Sequence, residues 1–170
     1  NIGIQNGDRS FTISLAKRFN DEVPSTLNFA FNSTVLDDDA RAILRQQAHW
    51  IAQFPEVRFK VFGYTDAVGT QAYNKRLGLR RAQTVVAYLV SQGINRSRLE
   101  AVVSFGETRP LIDTQSRERK NRRALTEVTG FVTGHPNVLD GQYAAVIYRE
   151  YIASAVPIPT AAVPSIAEGE

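Results

Sequence analysis

The stretch GYTDAVGTQAYNKRLGLRRAQ, residues 63–83, carries an acid and a base that a single ligand could contact. Asp66 follows an apolar strand, at the rim of a sheet where loops gather and ligands commonly bind. Arg81 lies on the helix that follows, and its guanidinium could reach the same rim. Together these two residues complement an amino acid head group. The carboxylate of Asp66 can accept from the ammonium of such a ligand, and the guanidinium of Arg81 can donate two parallel hydrogen bonds to its carboxylate.

The same two residues also allow a structural interpretation. Asp66 and Arg81 would then pair with each other, or Asp66 would organise the turn at Gly69 while Arg81 is solvated. Spacing alone favours this interpretation over ligand binding, so further evidence has to decide between the two.

Other kinds of site find little support in the sequence. His49 and His135 are far apart, and neither has the i, i+4 partner of a helical metal site. The acids of residues 37–39 open a helix, where they suit capping better than calcium binding. The chain has no cysteine, which excludes disulfides, thiolate zinc sites and thiol nucleophiles. The sequence therefore predicts no enzyme, no cofactor and no metal.

Length and composition predict one ordinary domain with extensions, because 43% of the 170 residues are hydrophobic and can form a core. The net charge of +3 comes from acids and bases that are interspersed along the chain. The short basic cluster SRERKNRR lacks interleaved aromatics, which makes nucleic acid a remote partner. No apolar run reaches the roughly 18 residues of a membrane helix, so a membrane link is expected only through a segment outside this chain.

Hydrophobic periodicity predicts the order strand, helix, strand, helix, strand, strand. Two strand–helix–strand crossovers would place two helices on one face of a mixed sheet. The fold class is therefore α+β, a two-layer sandwich with about four strands (β-α-β-α-β-β) and helices on one face. The predicted elements are strands at 26–31, 57–64, 98–110 and 122–132, with helices at 37–54 and 72–91.

The flanking segments are assigned from weaker patterns. FTISLAKRF, residues 11–19, alternates like a strand yet spaces Phe11, Leu15 and Phe19 like a helix, and we favour a short helix. The predicted organisation is an N-terminal extension (1–26), a core domain (27–132) and a C-terminal extension (133–170) with a helix at 141–154 and a Pro/Ala-rich tail expected to be mobile.

Three segments in order resemble the OmpA-like peptidoglycan-binding domain: FAFNSTVLDDDARAILRQQAHWIAQFP, VFGYTDAVGTQAYNKRLGLRRAQTVVAYLVSQGI, and FGETRP followed by NRRALTEV. The resemblance runs from about Leu27 to Val128 and is specific, because all three patterns recur together. LGLRRA and NRRA lean toward the peptidoglycan-associated lipoprotein branch. Gly78 and Leu79 depart from the family, where many members have serine and an acidic or polar residue.

The resemblance implies non-covalent binding of peptidoglycan through the meso-diaminopimelate of its stem peptide. Asp66 matches the family aspartate that takes the diaminopimelate ammonium, and Arg81 matches the arginine that takes its carboxylate. Such a domain would anchor an outer-membrane or envelope protein to the wall in the periplasm of a Gram-negative bacterium. Further pocket residues carried over by position are Asn74, Asn32 and Arg122.

Geometry refines two of these assignments. Arg80 lies about 100° around the helix from Arg81, which places it in solvent. Neighbours on a strand face opposite ways, so only one of Arg122 and Arg123 should reach the pocket, and the resemblance favours Arg122.

A second interpretation is a periplasmic protein–protein interaction module of an envelope complex, with a secondary or vestigial wall site. Only a wall-binding domain should saturate with a diaminopimelate muropeptide and bind a lysine-type peptide more weakly. A cell-wall hydrolase would need a metal site or paired catalytic acids, for which the sequence offers no candidate set.

Overall fold

The computed structural model describes residues 11–134 of the chain. The prediction of a helix at 141–154 and of a mobile tail lies outside this range. The elements are β1 (Phe11–Ser14), α1 (Leu15–Glu22), β2 (Thr26–Asn28), α2 (Asp38–Ala52), β3 (Arg58–Tyr64), α3 (Gln71–Ser91), β4 (Leu99–Gly106), β5 (Arg123–Thr129) and β6 (Phe131–Gly134). A short 3-10 turn, Arg96–Arg98, lies between α3 and β4.

The main sheet has four strands in the order β2-β5-β3-β4. β3 and β4 are parallel and are joined by α3, whereas β5 is antiparallel to both β2 and β3. The sheet is therefore mixed, and the predicted α+β class is confirmed. β1 and β6 form a separate antiparallel ribbon beside it.

The hydrophobic core lies between the sheet and the helices. Phe59 and Val61 of β3 are fully buried, as the alternating pattern predicts, and they share the core with Leu44 of α2 and Val85 of α3. Other core residues are Leu27, Phe29, Ala40, Ala48, Ile51, Ala82, Val86, Leu89, Ala124 and Val128.

Both long helices begin at a side-chain cap. Asp37 caps α2, since its Oδ1 accepts from the main-chain nitrogen of Ala40 at 2.8 Å, and two more acids follow in the first turn. Capping is thus confirmed for this acid. Thr70 caps α3 by accepting from the nitrogen of Tyr73 at 3.1 Å, and α3 stops before Gly93, whose φ is +102°.

The first core strand is shorter than predicted. The alternation of TLNFAF suggested a strand to residue 31, but β2 ends at Asn28. The chain turns immediately afterwards, with Ser33 donating to the carbonyl of Ala30 at 3.2 Å and Asn32 at a φ of 53°. The hydrophobic alternation of the sequence does not predict this turn, which forms one wall of the pocket described below.

The segment at 11–19 uses both of its patterns in succession. Phe11 belongs to β1, and the helix begins only at Leu15. Leu15 and Phe19 are buried in the same core as the main sheet, and Phe19 packs edge-on against Trp50 at 5.1 Å between ring centroids. The packed core therefore includes side chains from the predicted N-terminal extension.

Gly78, the departure from the family pattern, allows α3 to approach β3 closely. A Cβ added at Gly63 would lie 1.7 Å from the carbonyl oxygen of Gly78. A Cβ added at Gly78 would lie 2.4 Å from the Ser104 hydroxyl and 3.0 Å from the Gly63 oxygen. The helix tolerates a glycine here because the facing strand leaves no room for a side chain.

Gly63→Ala is expected to lower the free energy of unfolding by about 3 kcal/mol, because main chain has to move to admit the methyl group. Gly93→Ala is the matched control, since nothing lies within 4 Å of its added Cβ and only the positive φ is penalised, at about 1 kcal/mol. Urea unfolding of both variants tests this, and equal losses would contradict a close helix–strand contact.

None of the helices within residues 11–134 is both long enough and apolar enough to span a membrane.

Candidate functional site

A pocket of about 220 Å³ opens at the carboxyl end of β3. Three segments form its walls: the turn after β2, the loop after β3, and the first three turns of α3. Asp66 and Arg81, which the sequence predicted to meet at one rim of the sheet, both line it. The lining residues are Phe31, Asn32, Asp66, Val68, Gly69, Tyr73, Asn74, Leu77 and Arg81.

Asp66 is held in the pocket wall with only 4% of its surface exposed. Its Oδ1 accepts from the nitrogen of Val68 at 3.3 Å, and its Oδ2 accepts from the nitrogen of Glu118 at 3.2 Å. Oδ2 also accepts from Nη1 of Arg122 at 3.0 Å, which completes an ion pair. Asp66 thus organises its own loop and ties it to the segment before β5.

Arg81 is fully buried, with 0% of its surface exposed. Its Nε, Nη1 and Nη2 each donate to a main-chain carbonyl, those of Ser33 at 2.9 Å, Tyr64 at 3.0 Å and Ala30 at 3.2 Å. Its guanidinium carbon also lies 5.1 Å from the ring centroid of Phe29. Three of its five N–H groups therefore fix the pocket walls, which leaves two for other partners.

This placement differs from both forms of the structural interpretation of Arg81. A solvated arginine is wrong, because the side chain is buried. A direct pair with Asp66 is also not what forms, since the ion pair of Asp66 is with Arg122. Arg81 does reach the same rim as Asp66, where the turn after β2 and the end of β3 hold its guanidinium in place.

The predicted asparagines support the same pocket from two sides. Nδ2 of Asn74 donates to the carbonyl of Val68 at 3.0 Å and to Oε1 of Glu107 at 2.7 Å. Asn32 lies across the pocket in the turn after β2, where its Oδ1 accepts from the hydroxyl of Tyr73. Asn74 thus braces the Asp66 loop, and Tyr73 joins α3 to the opposite wall.

Arg122 and Arg123 point to opposite faces, as strand alternation predicts. Arg122 reaches Asp66, and its Nε donates to the carbonyl of Phe29 at 2.9 Å. Arg123 instead stacks over the ring of Tyr64 at 3.7 Å. Arg122 lies behind the Asp66 carboxylate and is not part of the pocket lining.

Burial dominates the electrostatics of Arg81. It lowers the pKa of this guanidinium from its usual value to about 10, and the nearby carboxylate of Asp66 opposes the shift. Arg81 therefore stays charged at neutral pH. Because Asp66 is neutralised by Arg122, the three groups together leave one positive charge in excess at the pocket.

Sequence reasoning missed several pocket residues. Tyr73 and Leu77 lie four residues apart on α3, on the same face as Arg81, so helical periodicity could have identified them. Phe31 could not be found in this way, because it reaches the pocket only through the turn that shortens β2. Within residues 11–134 no three His, Cys, Asp or Glu side chains are placed to hold a metal ion.

Comparison with known proteins agrees with this fold. The family model described as "OmpA family" matches residues 28–124, which is more than half of the chain. The chain belongs to the OmpA family. Its relatives in that family include a peptidoglycan-associated lipoprotein of Mesorhizobium japonicum, 35% identical over 127 residues that cover 74% of this chain and 75% of the relative. Outer membrane porin F of Pseudomonas fluorescens is 36% identical over 104 residues, 60% of this chain and 32% of the porin.

Two solved structures have folds similar to the fold of this chain. The crystal structure of the peptidoglycan-associated lipoprotein from Burkholderia pseudomallei superposes with a TM-score of 0.59 at 30% identity, covering 62% of this chain and 91% of that one. The C-terminal domain of Helicobacter pylori MotB gives a TM-score of 0.52 at 23% identity, covering 79% and 98%. The second likeness concerns the fold alone.

Proposed function

We propose that this OmpA-family chain binds peptidoglycan non-covalently and anchors an envelope protein to the cell wall in the periplasm. The membership of the OmpA family and the relatives named peptidoglycan-associated lipoprotein support the proposal. The observation that carries it is the pocket, which Asp66 and Arg81 line with opposite charges without pairing with each other.

We infer further that the ligand is the side-chain end of meso-diaminopimelate, which carries an ammonium and a carboxylate. The carboxylate of Asp66 would accept from the ammonium. The unused N–H groups of Arg81 would donate to the ligand carboxylate. Main-chain contacts hold both protein groups in place before the ligand arrives, so little ordering is required on binding.

The excess positive charge supports diaminopimelate over lysine. A lysine ammonium entering the pocket would meet one acid that Arg122 already neutralises and would leave Arg81 without an anion. The additional carboxylate of diaminopimelate would balance Arg81. Omitting a charged partner of a buried group costs more than omitting a neutral one, so this difference should be large.

Co-sedimentation with purified Gram-negative sacculi tests the proposed function. We expect the chain to pellet with the sacculi and to be released by an excess of soluble diaminopimelate muropeptide. The muropeptides recovered afterwards should be unchanged on chromatography, since the proposed role is not catalytic. A chain that stays in the supernatant, or that alters the muropeptide profile, would contradict the proposal.

A further inference from the structure

The sheet face that turns away from α3 carries two arginines stacked on aromatic rings. Gly63 lies against α3, so its strand neighbours Phe62 and Tyr64 lie on the opposite face. Ala124 is buried in the core, which places Arg123 on that same opposite face. This surface is separate from the pocket and from its proposed ligand.

The two guanidiniums stack on adjacent rings. The guanidinium carbon of Arg109 lies 3.7 Å from the ring centroid of Phe105, and that of Arg123 lies 3.7 Å from that of Tyr64. The two rings are 5.6 Å apart. Nη2 of Arg123 donates to the carbonyl of Arg109 at 3.1 Å, which fixes the loop that carries the second arginine.

One of these guanidiniums has an unused donor in a buried position. Arg123 is only 7% exposed, and its Nη1 has no hydrogen-bond partner. Neither Arg109 nor Arg123 forms an ion pair with any acid of residues 11–134. Burial also lowers the pKa of Arg123 from its usual value, as expected for a cation without a counter-ion. Native proteins rarely leave such a group unsatisfied, and an acceptor from outside these residues would complete its hydrogen bonding.

We propose that Arg109 and Arg123 form a carboxylate-binding site for an aspartate or glutamate side chain of an acidic partner polypeptide. Two planar guanidiniums suit a carboxylate, and neither of these two is ion-paired with an acid of residues 11–134. Half-buried Phe62, Val103 and Leu125 surround the site and would contact a peptide, whereas a free phosphate would leave them uncovered.

NMR titration of the full chain tests this site with three probes at constant ionic strength: acetyl-Phe-Glu-amide, acetyl-Phe-Gln-amide and inorganic phosphate. We expect saturable shifts of the Tyr64, Phe105 and Arg123 amide signals with the glutamate peptide. The glutamine peptide should bind at least about tenfold more weakly, since it lacks the charged acceptor. Equal binding of the two peptides, or no saturation, would overturn the proposal, as would tighter binding of phosphate than of the glutamate peptide.

Arg109→Gln is the decisive variant, because Arg109 is exposed and its loss should not affect folding. We expect about tenfold weaker binding of acetyl-Phe-Glu-amide to this variant, with retention on sacculi unchanged. Arg96→Gln, an exposed arginine of the 3-10 turn, is the matched control and should bind as the unsubstituted chain does. Equal weakening in both variants would mean a diffuse charge effect and would overturn the site.

Discussion

Asp66→Asn is expected to abolish retention of the chain on purified sacculi and also to lower the free energy of unfolding. The amide keeps an oxygen that can accept from the nitrogen of Val68, but its NH2 group would face Arg122 and the nitrogen of Glu118, which Oδ2 now accepts from. It removes the only negative charge among the side chains that line the pocket. Losing one partner of a desolvated charged contact costs on the order of 2 to 5 kcal/mol, which corresponds to about 30-fold weaker binding or more.

The control for this experiment is Asp39→Asn, which removes one negative charge from an exposed position in the first turn of α2. Both variants should be compared by co-sedimentation and by thermal unfolding. Retention of the Asp66 variant at the level of the Asp39 variant, with both folded, would show that the pocket acid does not bind the wall.

Arg81→Ala is expected to reduce the free energy of unfolding by about 3 to 5 kcal/mol, in addition to any loss of binding. Three main-chain carbonyls would each lose a donor at once, those of Ala30, Ser33 and Tyr64. A side chain that is fully buried would also leave a cavity beside Phe29. For a domain of ordinary stability this is a large fraction of the total.

Arg80→Ala is the matched control, since this neighbour on α3 is exposed and makes only a distant contact with the ring of Tyr73, at 5.9 Å. Its effect on the free energy of unfolding should stay within about 0.5 kcal/mol. Urea unfolding of the two variants separates them. A loss below about 1 kcal/mol for Arg81→Ala would contradict the role assigned to its main-chain contacts.

Asp66 and Arg81 each contribute to the folded structure as well as to the proposed binding. Arg81 serves stability and the proposed ligand together, because the same guanidinium fixes the pocket walls and offers its remaining N–H groups. Asp66 also holds its own loop through Arg122 and Glu118, so sacculus assays on variants of either residue need a measurement of the folded fraction beside them.

The order of elements followed from the sequence because each element carries its own local signal. Alternation at Phe59 and Val61 marks a half-buried strand, and Asp37 marks the start of a helix by the chemistry of its side chain. What these signals share is that they depend on residues close together in the chain.

The details of the pocket did not follow, because they depend on residues far apart in the chain. The carbonyls that hold Arg81 belong to residues up to 51 positions away. The sequence therefore does not show that they accept hydrogen bonds from its N–H groups. Phe31 was expected in a strand and instead lines the pocket. The close contact of Gly63 with Gly78 likewise could be seen only in the packed structure. From the sequence alone, a glycine inside a helix indicates only a loss of helix stability.

Calorimetric titration with two stem tripeptides that differ only at the third residue, meso-diaminopimelate or L-lysine, tests most directly whether the opposite charges of this pocket recognise an amino acid head group. We expect one saturable site for the diaminopimelate tripeptide and at least about 30-fold weaker binding of the lysine tripeptide, because Arg81 would lack its anion. Equal affinity for both tripeptides, or no saturable binding of either, would contradict that recognition.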